Sequence, residues 1–159
     1  MGRERGVDAG LGYAAGMTGA GTAVAVLAVV NAFGDVLAED SSVLAGPRGE
    51  DGETLSTAEL IVDMEAPPEW TGLRERNTTL ACVMTDAGLD KPACSRVARM
   101  ASGGVARAVD PVFSDVDGDV VFCLASGSAT PDRFATIVVG TLAATLTAAA
   151  IRDAVRQAA

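Results

Sequence analysis

Two long runs without a charged residue most constrain how this chain can fold. They span residues 10–34 and 134–151. A membrane-spanning helix needs about 20 apolar residues, so runs of this length suit either a lipid bilayer or a protein interior. Several glycines interrupt the first run, and the second consists mainly of Ala and Thr rather than Leu, Ile and Phe. We therefore predict two buried regions of a globular domain and no membrane partner.

The interior of such a domain must be built from small side chains. Hydrophobic residues make up 49% of the 159 residues but aromatic residues only 4%, and 18 residues are glycine. Small residues allow sheets and helices to pack with their backbones close together. The length suits one domain, so we predict a single layered α/β unit over residues 1–159.

Three segments are predicted to be buried strands. Each is a short, continuous apolar run that contains valine, which is typical of a strand covered on both faces. The segments are residues 22–33, 79–85 and 120–125. Asn31 places a polar amide near the end of the first of them.

Two helices are predicted to pack on these strands. Residues 90–109 carry apolar side chains at helical spacing, and Lys91-Pro92 stands at their start, where proline is tolerated. A longer helix is predicted from about Pro131 to Gln157, with Thr130 as its N-cap and Pro131 at the first helical position. The five elements follow in the order strand, strand, helix, strand, helix.

The remaining segments are predicted to be mostly loops and turns. Residues 10–21 are dense in glycine, which indicates either a functional loop or a structural turn where backbones approach closely. Residues 34–76 combine acidic residues, prolines and glycines, and a short ordered piece begins at residues 60–62. The acidic residues of this stretch are typical of a solvent-exposed insertion rather than of a binding surface.

The charge balance excludes nucleic acid as a partner. The formal net charge is −9, whereas phosphate binding depends on clustered Lys and Arg. The basic residues of this chain form no such cluster in the sequence.

The cysteines indicate a reducing compartment. Cys82, Cys94 and Cys123 are odd in number and lack the close pairing or neighbouring histidines of a zinc site. We predict that they are buried free thiols. The charged residues after Met1 lead into a glycine-rich segment without the cleavage site of a secretory signal, so we predict a cytoplasmic protein.

The absence of histidine narrows the possible chemistry. It excludes Ser-His-Asp and Cys-His catalysis and most catalytic zinc sites. An enzyme without histidine can use an N-terminal Thr, Ser or Cys, whose own α-amine, with a pKa of about 7.7 to 8.0, accepts the side-chain proton. Cutting the chain must expose such a residue. The stretch from Arg76 to Thr79 lies where the acidic segment meets a predicted strand, although this pattern alone is more typical of a polar turn.

A longer stretch around this point resembles a known family. Residues 77–127 read NTTLACVMTDAGLDKPACSRVARMASGGVARAVDPVFSDVDGDVVFCLASG. They closely resemble the self-processing half of the P1-type peptidases, the group that includes the DmpA-type D-aminopeptidases and the β-aminopeptidases. Residues 22–36 resemble the strand that precedes the cleavage loop in the same family. The resemblance implies an αββα layered sandwich, as in DmpA and the ornithine acetyltransferases, of which this chain would be the C-terminal portion.

The resemblance also implies roles for particular residues. The chain would cut itself between Asn77 and Thr78 into residues 1–77 and 78–159, so that Thr78 becomes both nucleophile and, through its amine, base. Asn31 falls where the family places an asparagine that stabilises the oxyanion, a role that suits a side-chain amide. Asp119 and Asp117 match an acidic turn that orients the amine of the nucleophile, although the aminopeptidase type has a serine at position 117. No metal or organic cofactor is implied.

Other interpretations of these residues stay open at this point. Asn31 would also suit the cap of a strand end, and turn aspartates often bond their own backbone. The aspartates of residues 114–119 would also suit a calcium loop, but no glutamate closes the spacing of an EF-hand.

The chain departs from the family pattern in its length. Family members carry a long region before the segment that begins at Gly10, and this region supplies an active-site tyrosine. Tyr13, the only tyrosine, lies too late in the sequence for that role. We therefore expect the missing N-terminal segment, or homo-oligomer partners, to complete the protein.

The predicted function is hydrolysis of the amide bond at the amino end of a small peptide or amide. One alternative is acyl transfer, because the ornithine acetyltransferases resemble this fold and also cut before a threonine, usually after alanine rather than asparagine. The other is a non-catalytic half that serves only as an assembly partner, which open sheet edges would favour.

Overall fold

The computed structural model describes residues 9–65, 77–129 and 133–158. Its elements, in chain order, are β1 (Leu11–Met17), β2 (Ala23–Asn31), β3 (Asp35–Leu37), β4 (Val43–Ala45), α1 (Thr57–Val62), β5 (Thr78–Thr85), α2 (Lys91–Val105), β6 (Val109–Asp110), β7 (Val120–Ala125) and α3 (Ala135–Ala158). The predicted cap at Thr130 and the proline at position 131 lie outside the described residues.

Four strands form the main sheet, in the order β1-β2-β5-β7. β1 and β5 both run antiparallel to β2, and β7 runs parallel to β5. Parallel neighbours need a crossover connection, which α2 provides between β5 and β7. A second, smaller sheet has the order β4-β3-β6.

The α/β class and the five predicted elements are confirmed. The three predicted strands correspond to β2, β5 and β7, and the two predicted helices to α2 and α3. α2 begins after Asp90, whose side chain accepts a hydrogen bond from the Ala93 amide at 2.8 Å, with proline in the first turn. It ends at Val105, and Val109 belongs to β6 rather than to this helix.

The interpretation of residues 10–21 as a loop or turn is wrong for most of that segment. Residues Leu11–Met17 form the edge strand β1, and only the residues after it turn. The glycines serve close packing instead: a Cβ on Gly12 would lie 2.0 Å from the Ala150 carbonyl oxygen of α3. Helix α3 therefore rests directly on the backbone of β1.

One face of the main sheet packs against α2 and α3. The inward side chains of β2 are Val24, Val26, Ala28 and Val30, all buried, and they alternate with outward ones. On the helix side the core continues through Val97 and Ala101 of α2 and Val139, Ala143 and Ile151 of α3. This face supplies most of the buried apolar surface that holds the described residues together.

The two helices touch through their backbones. A Cβ on Gly104 of α2 would lie 2.1 Å from the Ala144 carbonyl oxygen of α3. A Cβ on Gly140 of α3 would lie 2.4 Å from the Met100 sulfur of α2. The prediction that small residues permit short backbone distances is confirmed at Gly104, whereas Gly140 leaves room for the Met100 side chain.

The opposite face of the main sheet is apolar and exposed, and we call it the open face. Phe122 is 55% exposed, Leu124 61% and Met17 67%. The exposed large apolar side chains of the open face are Leu11, Tyr13, Met17, Leu27, Val29, Leu80, Phe122 and Leu124.

Helix α3 is long and apolar enough to cross a membrane by length and composition alone. Half of its most apolar stretch is buried inside the fold. A core helix passes the same test, and the contacts of α3 with β1, β2 and α2 are those of a core helix. The absence of a membrane partner remains a prediction.

The three cysteines carry free thiols, as predicted, but they are half-buried rather than buried. Cys94 of α2 and Cys123 of β7 contact each other through their sulfurs, and burial together with this neighbour raises the pKa of Cys123 to about 12. A thiol with so high a pKa is a weak nucleophile near neutral pH, so Cys123 is not a candidate for catalysis.

Candidate active site

Two of the predicted site residues stand opposite each other at one end of the main sheet. Asn31 is the last residue of β2, Thr78 is the first residue of β5, and the two are paired in the antiparallel register. Directly opposite residues point to the same face, with Cβ atoms about 4.5 to 5.5 Å apart. Their chain neighbours Val30 and Thr79 are buried on the helix side, so Asn31 and Thr78 lie on the open face.

The peptide bond predicted to be cut has a distinctive set of hydrogen bonds. The Thr78 hydroxyl donates to the carbonyl oxygen of Asn77 at an Oγ1–O distance of 2.5 Å. The Gly118 N–H donates to the same oxygen at 3.0 Å. One carbonyl group thus accepts both the hydroxyl of the following residue and a backbone amide from the turn before β7.

The acidic turn is joined to this end of the sheet by its two aspartates. Asp119 accepts from the Thr79 N–H at 2.6 Å and, through its other oxygen, from the Phe113 N–H at 3.2 Å. Asp117 accepts from the Phe33 N–H at 3.3 Å and from the Ser114 hydroxyl at 2.9 Å. The four carboxylate oxygens therefore tie the turn to β5, to the residues after β2 and to the turn itself.

The environment of Asp117 disfavours its charged form. Burial raises the pKa of the Asp117 carboxyl, and the nearby charge of Asp119 adds to the rise, whereas hydrogen bonds from Ser114 and from the Phe33 N–H oppose it. Neighbouring negative charges favour a cation beside them. The ammonium group of a new chain N-terminus at this end of the sheet would be such a cation.

The structure brings together all five predicted site residues, which are Asn31, Asn77, Thr78, Asp117 and Asp119. Sequence reasoning missed Gly118. The sequence shows only that a glycine stands between two aspartates in a turn. The direction of its N–H cannot be predicted from the sequence, because it depends on how the turn packs against Asn77. The alternative of an aspartate that bonds the backbone of its own turn is present for Asp119, which accepts from the Phe113 N–H. It is not present for Asp117, because the backbone N–H that this residue accepts belongs to Phe33.

Other features of the described residues do not add to this site. Within residues 9–65, 77–129 and 133–158, no group of three or more His, Cys, Asp or Glu side chains is placed to hold a metal ion. A groove of about 550 Å³ is lined by residues 18–22 together with Val138 and Val139. Residues 18–22 join β1 to β2 at the opposite end of the sheet from Thr78, so the groove is separate from the site.

Solved structures define the class of fold. The β-aminopeptidase from Burkholderia sp. is similar over 93% of this chain and 42% of its own, with a TM-score of 0.63 and 22% identity. The L-aminopeptidase D-Ala-esterase/amidase from Ochrobactrum anthropi, described as a variant of the Ntn-hydrolase fold, covers 94% of this chain and 40% of its own, with a TM-score of 0.57 and 17% identity. The chain thus shares the fold of these two structures.

Sequence comparison then identifies the family. Residues 4–159 match the model of peptidase family S58, and the chain belongs to that family. Uncharacterized aminopeptidases of Mycobacterium bovis and Mycobacterium leprae are each 35% identical to it, over 79% and 77% of this chain. The chain spans 38% and 37% of those two relatives. The predicted membership of the P1-type peptidases is confirmed, since that label names the same family, whereas the C-terminal position of this chain remains a prediction.

Proposed function

We propose that this chain is a self-processing aminopeptidase or amidohydrolase portion that cuts its own Asn77-Thr78 bond and then uses Thr78 as an N-terminal nucleophile. The observation that carries the proposal is the contact between the Thr78 hydroxyl and the carbonyl oxygen of Asn77, at 2.5 Å. A hydroxyl in this position is adjacent to the carbon that it must attack. Membership of a peptidase family supports the same conclusion.

Self-cleavage takes place in two steps, formation of an ester and its hydrolysis. The Thr78 oxygen bonds to the carbonyl carbon of Asn77 and loses its proton, the bond from that carbon to the Thr78 nitrogen breaks, and the nitrogen takes up a proton to become an amine. Water then adds its hydroxyl to the carbon of the ester, the bond from that carbon to the Thr78 oxygen breaks, and this oxygen takes up the proton of the water. The new carboxyl group of Asn77 ionises. The products are a carboxylate on Asn77 and a free hydroxyl and amine on Thr78.

The same residues then serve the turnover of substrate. The Thr78 amine takes the proton of the Thr78 hydroxyl, which attacks the carbonyl of a substrate amide and forms an acyl-enzyme that water releases. Asn31 lies directly opposite and stabilises the oxyanion through its amide. Asp119 and Asp117 supply the negative charge that holds the ammonium form of the amine in place. The substrate class is a small peptide or amide, cleaved at its amino end.

The open face supports the proposal that a second layer completes the protein. Thr78 and Asn31 lie at one end of this exposed apolar face, so whatever covers the face also borders the site. We propose that the remaining length of the family, which this chain does not span, supplies that layer, either as an N-terminal segment or within an oligomer. A non-catalytic assembly role is the second candidate, since the same face favours it, and an uncut, folded chain would support it.

Replacing Asn31 tests the turnover part of the proposal. Asn31→Ala is expected to lower the rate of hydrolysis of an aminoacyl anilide by about 10² to 10³, the usual cost of losing an oxyanion donor. Asn31→Asp, which keeps the shape but has no N–H to donate, is expected to lose activity as well. Thermal unfolding should change little in either variant, because the side chain is exposed in the described residues. An unchanged rate in Asn31→Ala would remove this residue from the site.

Replacing Asp119 separates its charge from its place in the turn. Asp119→Asn is expected to lower turnover more than stability. An amide keeps an acceptor for the Thr79 N–H at 2.6 Å and loses only the longer bond from the Phe113 N–H, whereas the charge that orients an ammonium disappears. Asp51→Asn is the matched control, since Asp51 also accepts a backbone N–H in a turn, from Glu53, but lies on another exposed segment. Equal losses of turnover and stability in Asp119→Asn would assign this residue a structural role.

A further inference from the structure

We infer that the backbone N–H of Gly118 is the oxyanion donor for the self-cleavage reaction, and that position 118 must be glycine for Thr78 to reach its attacking position. The inference rests on the proposed function, because it concerns the same bond. It assigns a reacting contact to a residue outside the set predicted from the sequence.

The first argument is the direction of the N–H bond. The Gly118 amide donates to the carbonyl oxygen of Asn77 at 3.0 Å. When the Thr78 oxygen bonds to the carbonyl carbon, negative charge develops on this same oxygen. A donor already aimed at that atom stabilises the charge without having to reorganise. In self-cleavage Gly118 would thus have the role that Asn31 has in turnover.

The second argument is that the donor is held firmly on both sides. Asp117, the residue before Gly118, forms a parallel bridge with Asn77 and accepts a hydrogen bond from the Phe33 N–H. Asp119, the residue after Gly118, accepts from the N–H of Thr79. The turn is thereby anchored to both chain segments that flank the bond, which positions the donor at the carbonyl oxygen.

The third argument concerns space. A Cβ on Gly118 would lie 2.7 Å from the Thr78 hydroxyl oxygen and 3.6 Å from its methyl carbon. The backbone of Gly118 is not in the left-handed region, so conformation does not require glycine here. A side chain at position 118 would instead displace the attacking oxygen, and a misplacement of about 1 Å can slow a reaction by about 10²-fold.

Two variants test the two parts of the inference in the full chain. Gly118→Ala keeps the N–H but fills the space beside the Thr78 oxygen, and an amide-to-ester replacement of the Asp117–Gly118 linkage by semisynthesis removes the N–H alone. We expect each to slow self-cleavage by about 10² to 10³, measured by intact mass against time after refolding. Gly19→Ala is the matched control, because a Cβ there meets nothing within 4 Å, and it should cut at the wild-type rate.

Hydroxylamine distinguishes loss of the first step from loss of the second. It cleaves an accumulated ester, and the chain contains no Asn-Gly bond that it would also attack. In Gly118→Ala the displaced Thr78 oxygen should form little ester, so hydroxylamine should not restore cleavage at Asn77-Thr78, and circular dichroism should show that both variants are folded. Hydroxylamine is applied to Gly118→Ala only, because it would cleave the engineered ester of the other variant. Restored cleavage would instead place the defect in ester hydrolysis and overturn the inference.

The remaining outcomes are also decisive. If the wild-type chain cuts and both folded variants cut at the same rate, the inference about Gly118 is wrong and the proposed function stands. If the folded wild-type chain itself stays whole, the proposed self-cleavage fails and the inference fails with it. A Gly118→Ala chain that does not fold would leave the decision to the ester variant, which adds no atom beside Thr78.

Discussion

Thr78→Ala is expected to leave the chain whole, whereas the wild-type protein is expected to yield two pieces, residues 1–77 and 78–159. The substitution removes the hydroxyl that contacts the carbonyl oxygen of Asn77, and with it the nucleophile of the first step. Intact-mass analysis under denaturing conditions measures the outcome directly. Thr78→Ser should still cut, since it keeps the oxygen and loses only a methyl group.

The neighbouring threonine provides the control for this experiment. Thr79 is 1% exposed and lies on the helix side of β5, away from Thr78. Its hydroxyl has no hydrogen-bond partner among the described residues and does not face the scissile carbonyl, so Thr79→Ala should still cut. Cleavage one residue later would be visible as a shift of both masses. A folded protein that stays uncut at Asn77-Thr78 would contradict the nucleophile assignment and favour the assembly role.

Gly104→Ala is expected to destabilise the fold, whereas Gly103→Ala should stabilise it slightly. A Cβ on Gly104 would lie 2.1 Å from the Ala144 carbonyl oxygen, which is backbone and cannot rotate away, so α2 and α3 would have to separate. Overpacking of this kind costs about 1 to 3 kcal/mol and occasionally more. Gly103 is exposed on the same helix and its Cβ would meet nothing within 4 Å. Alanine there should gain about 0.5 to 1 kcal/mol from helix propensity.

Denaturant unfolding of the two single variants measures this contrast. The adjacent positions share the same helix and the same chemical change, so the difference between them reports only the contact with α3. Equal effects on the free energy of unfolding would show that the two helices do not touch as closely as the structure places them.

The elements that the sequence predicts are those with a strong local pattern. β2, β5 and β7 are continuous apolar runs, and α2 has both a cap and a helical spacing. β1 was not predicted because its inward positions are small residues such as the buried Gly12 and the half-buried Ala14, which produce no apolar alternation in the sequence. A pattern of side chains cannot show that a helix backbone lies directly on a strand.

The short elements of residues 34–65 depend on contacts between distant parts of the chain. Asp35 of β3 is 2% exposed and accepts from both the N–H and the hydroxyl of Thr57, at the start of α1. Burial raises the pKa of the Asp35 carboxyl, and the two hydrogen bonds from Thr57 oppose the rise. An acidic residue in an acidic segment gives no local sign that it will be buried.

The candidate site was predictable only in part. The residues themselves indicated a polar turn before a strand, and the family resemblance singled out Asn31, Thr78 and the two aspartates. The pairing of Asn31 with Thr78 follows from the register of β2 and β5, which is set by the whole sheet. The Gly118 N–H became visible only with the turn in place, because a backbone donor leaves no mark in the sequence.

The register of β2 and β5 also determines what happens after the chain is cut. These neighbouring strands are paired from Val24 and Thr85 at one end to Asn31 and Thr78 at the other, and cleavage would assign them to different polypeptides. The pairing of β2 with β5 at the centre of the main sheet would then hold together two polypeptides that have no covalent link. They would stay together as a heterodimer, and their unfolding would become a dissociation, governed by concentration as well as by temperature.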